Sequence, residues 1–138
     1  MTTIKNISPY SLLQELYWPN EWKILVCCVL LNQTTRKQVD NVRDLFFKKW
    51  PTPKALLNSN PNEVIEVVQS LGFKNRRINN LFKMSEQYIK GDWKEALDLY
   101  GIGKYGNDSY QIFIKGNLNV KPTDHALNKY MAWRLKQK

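Results

Sequence analysis

The stretch Leu99-Tyr100-Gly101-Ile102-Gly103-Lys104-Tyr105-Gly106-Asn107-Asp108 decides how this chain is read. Gly101 and Gly103 flank a single apolar residue. Glycine admits left-handed backbone and lets another chain come close. Residues 92–97 before the turn and 108–114 after it both suit helix, so a helical hairpin is predicted over about 94–114. Such a hairpin aims backbone N–H groups outward at a helix N-terminus, a seat for phosphate that needs no particular base. Lys104 would add a charge contact. The same residues also suit a tight interhelical turn with no ligand. A dinucleotide site is the poorer reading, because no strand precedes the turn and the full glycine fingerprint is missing.

Outward from the hairpin, the rest of the chain also reads as helix. Glu21 to Gln33 is almost entirely apolar, the pattern of a central buried helix. Thr35 to Lys49 places Val39, Val42, Leu45 and Phe46 at helical spacing, and Pro51 and Pro53 break it. Asn60-Pro61-Asn62-Glu63 predicts an N-cap, a proline in the first turn and a capping glutamate, with a stop near Gly72. A further helix is predicted from about Asn75 to Ile89, stopped by Gly91. Strand signals are few and no repeat is visible. The expected class is all-α, with short helices joined by tight turns.

Asp124 follows Pro122 and Thr123 and precedes the helical stretch 126–135. Aspartate is among the best N-capping residues. A carboxylate facing a pocket would instead stabilise the positive charge that builds on a sugar as a glycosidic bond breaks, and would orient or deprotonate water.

Bulk composition narrows the partners. The chain has 138 residues, 21 Lys and Arg against 12 Asp and Glu, and a formal net charge of +9. That balance favours a polyanion, either nucleic acid or an anionic membrane surface. A basic amphipathic helix with an aromatic face is missing, which disfavours the membrane. The basic residues, Arg76 and Arg77 among them, are scattered, so the charge is expected on a folded surface. Cys27 and Cys28 are adjacent within an apolar run, a poor basis for a disulfide framework or a zinc site, and the run is too short to span a bilayer.

Leu99-x-Gly101-Ile102-Gly103 resembles the hairpin of the helix-hairpin-helix base-excision DNA glycosylase superfamily. Within it, four stretches are similar to the glycosylase domain of methyl-CpG-binding domain protein 4. They are the run from Gly101 to Tyr110, Pro122-x-Asp124-His125-x-Leu127-Asn128-Lys129-Tyr130, Ser8-Pro9-x-x-Leu12-x-Gln14-Glu15, and Trp22-Lys23. They run in order along nearly the whole chain. The resemblance implies one glycosylase domain over 1–138 with the two-lobed helix-hairpin-helix fold, its cleft between the lobes and the hairpin and Asp124 at its mouth.

It implies site residues as well. Asp124 occupies the place of the essential aspartate and would serve as cap and catalyst together. Tyr105 stands where bifunctional relatives carry a lysine nucleophile. A phenol forms no imine, so the implied enzyme is monofunctional and leaves an abasic site. Lys104 is adjacent but out of place to substitute. Gln14 and Tyr105, with Leu12 and Leu13, would line the pocket for a flipped pyrimidine. Gln33 would fill the vacated stack where vertebrate relatives have arginine, and Phe73 matches an intercalating leucine wedge. Gly101, Gly103, Lys104, Lys121 and Lys129 would meet phosphates. His125 would be structural or phosphate-adjacent, with no metal site. Tyr100 departs from the proline of much of the superfamily.

The implied substrate is thymine or uracil mispaired with guanine in double-stranded DNA, hydrolysed without a cofactor by a monomer in the nucleus. The four-cysteine cluster of several relatives is missing, so no iron–sulfur cluster is expected. A monovalent cation at the hairpin carbonyls is compatible with the resemblance. No methyl-CpG-binding domain lies in these residues, so the chain either is one domain of a longer protein or lacks that domain. Two alternatives stand beside this reading. One is a glycosylase for another base, such as adenine or an alkylated purine. The other is a non-catalytic hairpin module that only binds DNA.

Overall fold

In the computed structural model, residues 7–137 are described, and among them no strand is present. The helices are α1 (Leu13–Tyr17), α2 (Glu21–Leu30), α3 (Arg36–Lys49), α4 (Pro53–Leu57), α5 (Pro61–Val68), α6 (Lys74–Lys90), α7 (Lys104–Ser109) and α8 (His125–Leu135).

α2 is the axis of the molecule. Asn20 caps it by accepting from the Lys23 amide at 2.9 Å, and every side chain from Ile24 to Leu30 is fully buried. A helix apolar on all sides has to be enclosed on all sides. It is shorter than predicted. The Leu31 amide bonds back to Cys27, Gln33 turns left-handed at φ 59°, and the Thr34 hydroxyl donates to the Leu30 carbonyl at 2.6 Å. Thr35 then caps α3 through the Gln38 amide, and Gln38 bonds back to the Thr35 amide.

Proline ends α3 as expected, but Pro53 also opens α4, where Thr52 accepts from the Ala55 amide. Five residues carry too little periodicity to announce a helix. Asn60 caps α5 through the Asn62 amide. Glu63 does not complete that cap; its carboxylate lies 4.0 Å from Lys49 Nζ. α6 ends on Gly91 at φ 72°, as predicted. The first arm of the hairpin is reduced to a 3₁₀ turn, Ala96–Asp98, and the second arm α7 runs into a π-helical turn at Tyr110–Ile114.

The two lobes have separate cores. The larger packs one side of α2 with α3 to α6, through Trp22, Phe46, Leu56, Val64, Leu81 and Met84. The smaller joins Ile24 to Ile112 and Phe113 of the π turn and to Leu127, Tyr130 and Met131 of α8. α2 belongs to both, and a cleft opens where they meet.

Candidate active site

That cleft has a volume of about 690 Å³. One wall is Leu12, Leu13 and Gln14; another is Leu31 to Thr34 with Arg36; the far side is Tyr105 and Thr123 to Ala126, with Lys129. The expected base-pocket residues, the aspartate and one of the two expected wedge residues thus share one cavity.

Gln14 is 1% exposed, although a glutamine on a short helix would ordinarily face water. Its Nε2 donates to Tyr105 Oη at 2.7 Å and to Ser109 Oγ at 3.0 Å. Both amide hydrogens are therefore committed, and Oε1 is left to accept. Tyr105 accepts from Gln14, so its own O–H remains free to donate. Burial, then the neighbouring Cys28 and Asp124, push the Tyr105 phenol well above its ordinary range against the opposing Gln14 hydrogen bond. The phenol therefore stays protonated at neutral pH. Ser109, fully buried beneath this pair, had no signal in the sequence.

α1 itself is held by Glu15. Its carboxylate accepts from the Ser8 amide and hydroxyl, both at 2.7 Å, and from the Leu12 amide at 2.8 Å. These bonds replace the missing helix neighbours and fix the Leu12–Gln14 wall.

Asp124 is half-buried at the N-terminus of α8. Oδ2 accepts from the Leu127 amide at 2.9 Å, and the other carboxylate oxygen accepts nothing from the described residues. Asn128 steadies this turn by donating to the carbonyls of Pro122 and Asp124. Lys104 is tied in place as well: Nζ reaches Asp108 at 3.0 Å and the Lys121 carbonyl at 3.1 Å, and it lines no part of the cleft. Lys129 does line it, and Lys121 and His125 are exposed nearby.

The glycines divide their work differently from expectation. Gly101 has φ 78°, and a Cβ there would sit 2.9 Å from Asn80 Cβ. Gly106 lets α7 approach α2; a Cβ would sit 2.9 Å from Ile102 Cγ2 and 3.5 Å from Cys28 Cβ. Gly103 needs neither freedom: φ is −104° and a Cβ would meet nothing within 4 Å. Two hairpin carbonyls are already in use, Gly101's by Asn32 Nδ2 and Leu99's by the Ile102 amide.

Gln33 and Phe73 are exposed and left-handed, at φ 59° and 48°, and both border a second, smaller cleft of about 300 Å³. Arg77 corrects the expectation of a purely superficial basic charge, being 3% exposed. Burial pushes its guanidinium below the ordinary value, and five backbone carbonyls surround it. Among the described residues no three His, Cys, Asp or Glu side chains converge as metal ligands, and no helix is long and apolar enough to cross a membrane.

Comparison with known proteins agrees with this geometry. Residues 26–134 match the family model described as HhH-GPD superfamily base excision DNA repair protein. A methyl-CpG-binding domain protein 4-like protein from Arabidopsis thaliana is 36% identical over 124 residues, 89% of this chain and 28% of that protein. A thymine-DNA glycosylase from Aeropyrum pernix is 34% identical over 103 residues, 67% of this chain and 46% of that one. The chain thus spans less than half the length of these curated relatives. Among solved structures, a thermostable thymine-DNA glycosylase superposes with a TM-score of 0.66 at 25% identity, over 73% of this chain and 50% of that one.

Proposed function

The chain belongs to the HhH-GPD superfamily of base excision DNA repair proteins, and from that premise we propose a monofunctional DNA glycosylase that flips thymine or uracil from a mismatch with guanine and releases it by hydrolysis. One observation carries the choice of base. Gln14 and Tyr105 present an acceptor and a donor side by side in the cleft. Uracil and thymine offer the complement, an N3–H donor flanked by carbonyl acceptors. Cytosine has no hydrogen on N3, so it could meet the same pair only through its N4 amino group and N3, with the ring shifted in the cleft. Leu12, Leu13, Leu31 and Ala126 add an apolar lining that accepts the thymine methyl.

Thymine is a normal DNA base, so releasing it safely requires a defect in pairing. A mispaired base costs less to extrude than a paired one. Gln33 and Phe73 would fill the space it leaves. In the cleft, the unoccupied oxygen of Asp124 faces the developing positive sugar and takes the proton of the attacking water. The C1′–O bond forms as the C1′–N1 bond breaks; the base leaves with the bonding pair and takes up a proton from water, and Asp124 returns the proton it accepted to solvent. No step needs a cofactor, and a cation at the hairpin carbonyls has no part in the chemistry. Phosphate contacts are proposed at the Gly101–Gly103 backbone and Lys129, with Lys104 held back by Asp108 and the Lys121 carbonyl. A monomeric state and a nuclear location are proposed with this reading, on the resemblance alone.

The test is base release from a labelled duplex carrying one G·T or G·U mismatch, with and without alkali, for the wild type and Asp124→Ala. Strand cleavage by the wild type only, and only after alkali, is expected. Cleavage without alkali, with borohydride trapping, would overturn the monofunctional reading. Release of adenine or an alkylated purine alone, or intact duplex binding with no release at all, would overturn the proposal.

A further inference from the structure

Arg77 lies on α6, close behind the left-handed Phe73. Nη1 donates to the carbonyls of Val29 at 3.0 Å, Leu30 at 3.3 Å and Asn32 at 3.1 Å. Nη2 donates to Leu71 at 3.1 Å and Nε to Gly72 at 3.2 Å. Among the described residues no carboxylate pairs with it. A buried cation without a counterion is costly unless its hydrogen bonds are met, and here the acceptors are carbonyls at two helical ends, of which Val29 and Leu30 also accept from the Asn32 amide and the Thr34 hydroxyl. One set ends α2; the other ends the 3₁₀ turn Gln69–Leu71.

Each set stops one residue short of a strained position. Gln33 follows Asn32 and Phe73 follows Gly72, at φ 59° and 48°. Such backbone at a non-glycine residue persists only where its surroundings hold it. The two side chains line one cleft, which Arg76 and Asn80 also line. One planar guanidinium therefore fixes two tips that are far apart in sequence. A lysine, with three donors on a flexible stem, could not span both sets.

We propose that Arg77 is a positioning residue that locks the Gln33 and Phe73 tips into one rigid wedge, and so sets the rate of base extrusion rather than of bond cleavage. The wedge role rests on the glycosylase reading above. The lock itself does not.

Two arms test it, on the full chain with Arg77→Lys and Arg77→Met. In the first, hydrogen exchange of the free protein should speed up at both 31–34 and 71–74, while α3 and α8 keep wild-type rates. Loosening at only one segment, or at neither, would overturn the lock. In the second, single-turnover uracil release from a G·U duplex should fall about ten- to a hundredfold. Release from the same strand with the uracil unpaired should stay at the wild-type rate. Equal losses on both substrates would overturn the positioning role. If the wild type releases no base, the proposed function fails while the exchange arm still decides the lock. Arg77→Lys, which keeps the charge, carries the test if Arg77→Met does not fold. In the wild type the Arg77 guanidinium N–H signals should exchange slowly; fast exchange would overturn the lock without any variant.

Discussion

Asp124 divides two duties between its two oxygens. One accepts from the Leu127 amide and starts α8; the other, under the proposed mechanism, is left for the substrate. Substitution can separate them. Asparagine caps a helix about as well as aspartate, so Asp124→Asn should change unfolding free energy by less than ~0.5 kcal/mol. It should nonetheless slow base release about 10³-fold, because the fixed negative charge is gone. Asp124→Ala should lose the activity and about 1 kcal/mol of stability besides. Urea denaturation beside single-turnover release reads both effects, and an active Asp124→Asn protein would remove charge stabilisation from the mechanism. The capping half of this was legible beforehand, because an aspartate ahead of an apolar helix states it locally. Gln14 was not legible without the resemblance. Its burial comes from Tyr105 and Ser109, far off in the chain, and α1 is too short to show which face turns inward.

At the scale of the element, the hairpin holds three glycines with three different duties, and alanine substitution should sort them. Gly106→Ala wedges a methyl between α7 and α2 against Ile102 and Cys28, and should cost about 1–3 kcal/mol. Gly101→Ala meets both a left-handed backbone and Asn80, and should cost a similar ~1–3 kcal/mol. Gly103→Ala meets open space. There the lost N-cap preference of roughly 0.5–1 kcal/mol is offset by ~0.4–1 kcal/mol from a stiffer unfolded chain. Its stability should stay near wild type while duplex affinity falls, because the methyl stands where the DNA backbone is proposed to approach. Thermal denaturation and fluorescence anisotropy check the three together; a Gly103→Ala protein that binds normally would move the phosphate seat elsewhere. The sequence pointed to Gly101 and Gly103 through their spacing. The equal importance of Gly106 depends on the side of α2 it touches, which no local pattern records. The first hairpin arm was over-read as helix for the related reason that residues 92–97 suit a helix but Ala96–Asp98 close only a 3₁₀ turn.

Over the whole molecule, the all-α class and the two lobes followed from helical periodicity and from the resemblance, whereas the disposition of charge did not. A formal net charge of +9 says that a polyanion is attracted, not which cations reach it. Arg77 is spent inside the protein on backbone carbonyls. Arg36 and Arg43 both hold Asp40 at 2.8 Å. Lys104 holds Asp108, whose side chain is only 8% exposed. Lys129 pairs with no carboxylate among the described residues; its ammonium lies 6.0 Å from the Tyr10 ring and lines the cleft. Salt dependence should separate these two lysines. Each phosphate contact contributes about −0.9 to the slope of log affinity against log salt. Lys129→Met should therefore flatten that slope by about 0.9 for an undamaged duplex and leave stability unchanged. Lys104→Met leaves the Asp108 carboxylate without its cation and frees the Lys121 carbonyl, so it should lower unfolding free energy by roughly 1 kcal/mol or more. Its slope should change less than that of Lys129→Met, because reaching a phosphate would mean giving up Asp108. Anisotropy titrations at several salt concentrations, paired with urea denaturation, give both numbers. A flat response from Lys129→Met with a full unit lost in Lys104→Met would show that bound DNA draws Lys104 off Asp108, and the turn before Asp124, now tied through the Lys121 carbonyl, would then be released by DNA binding itself.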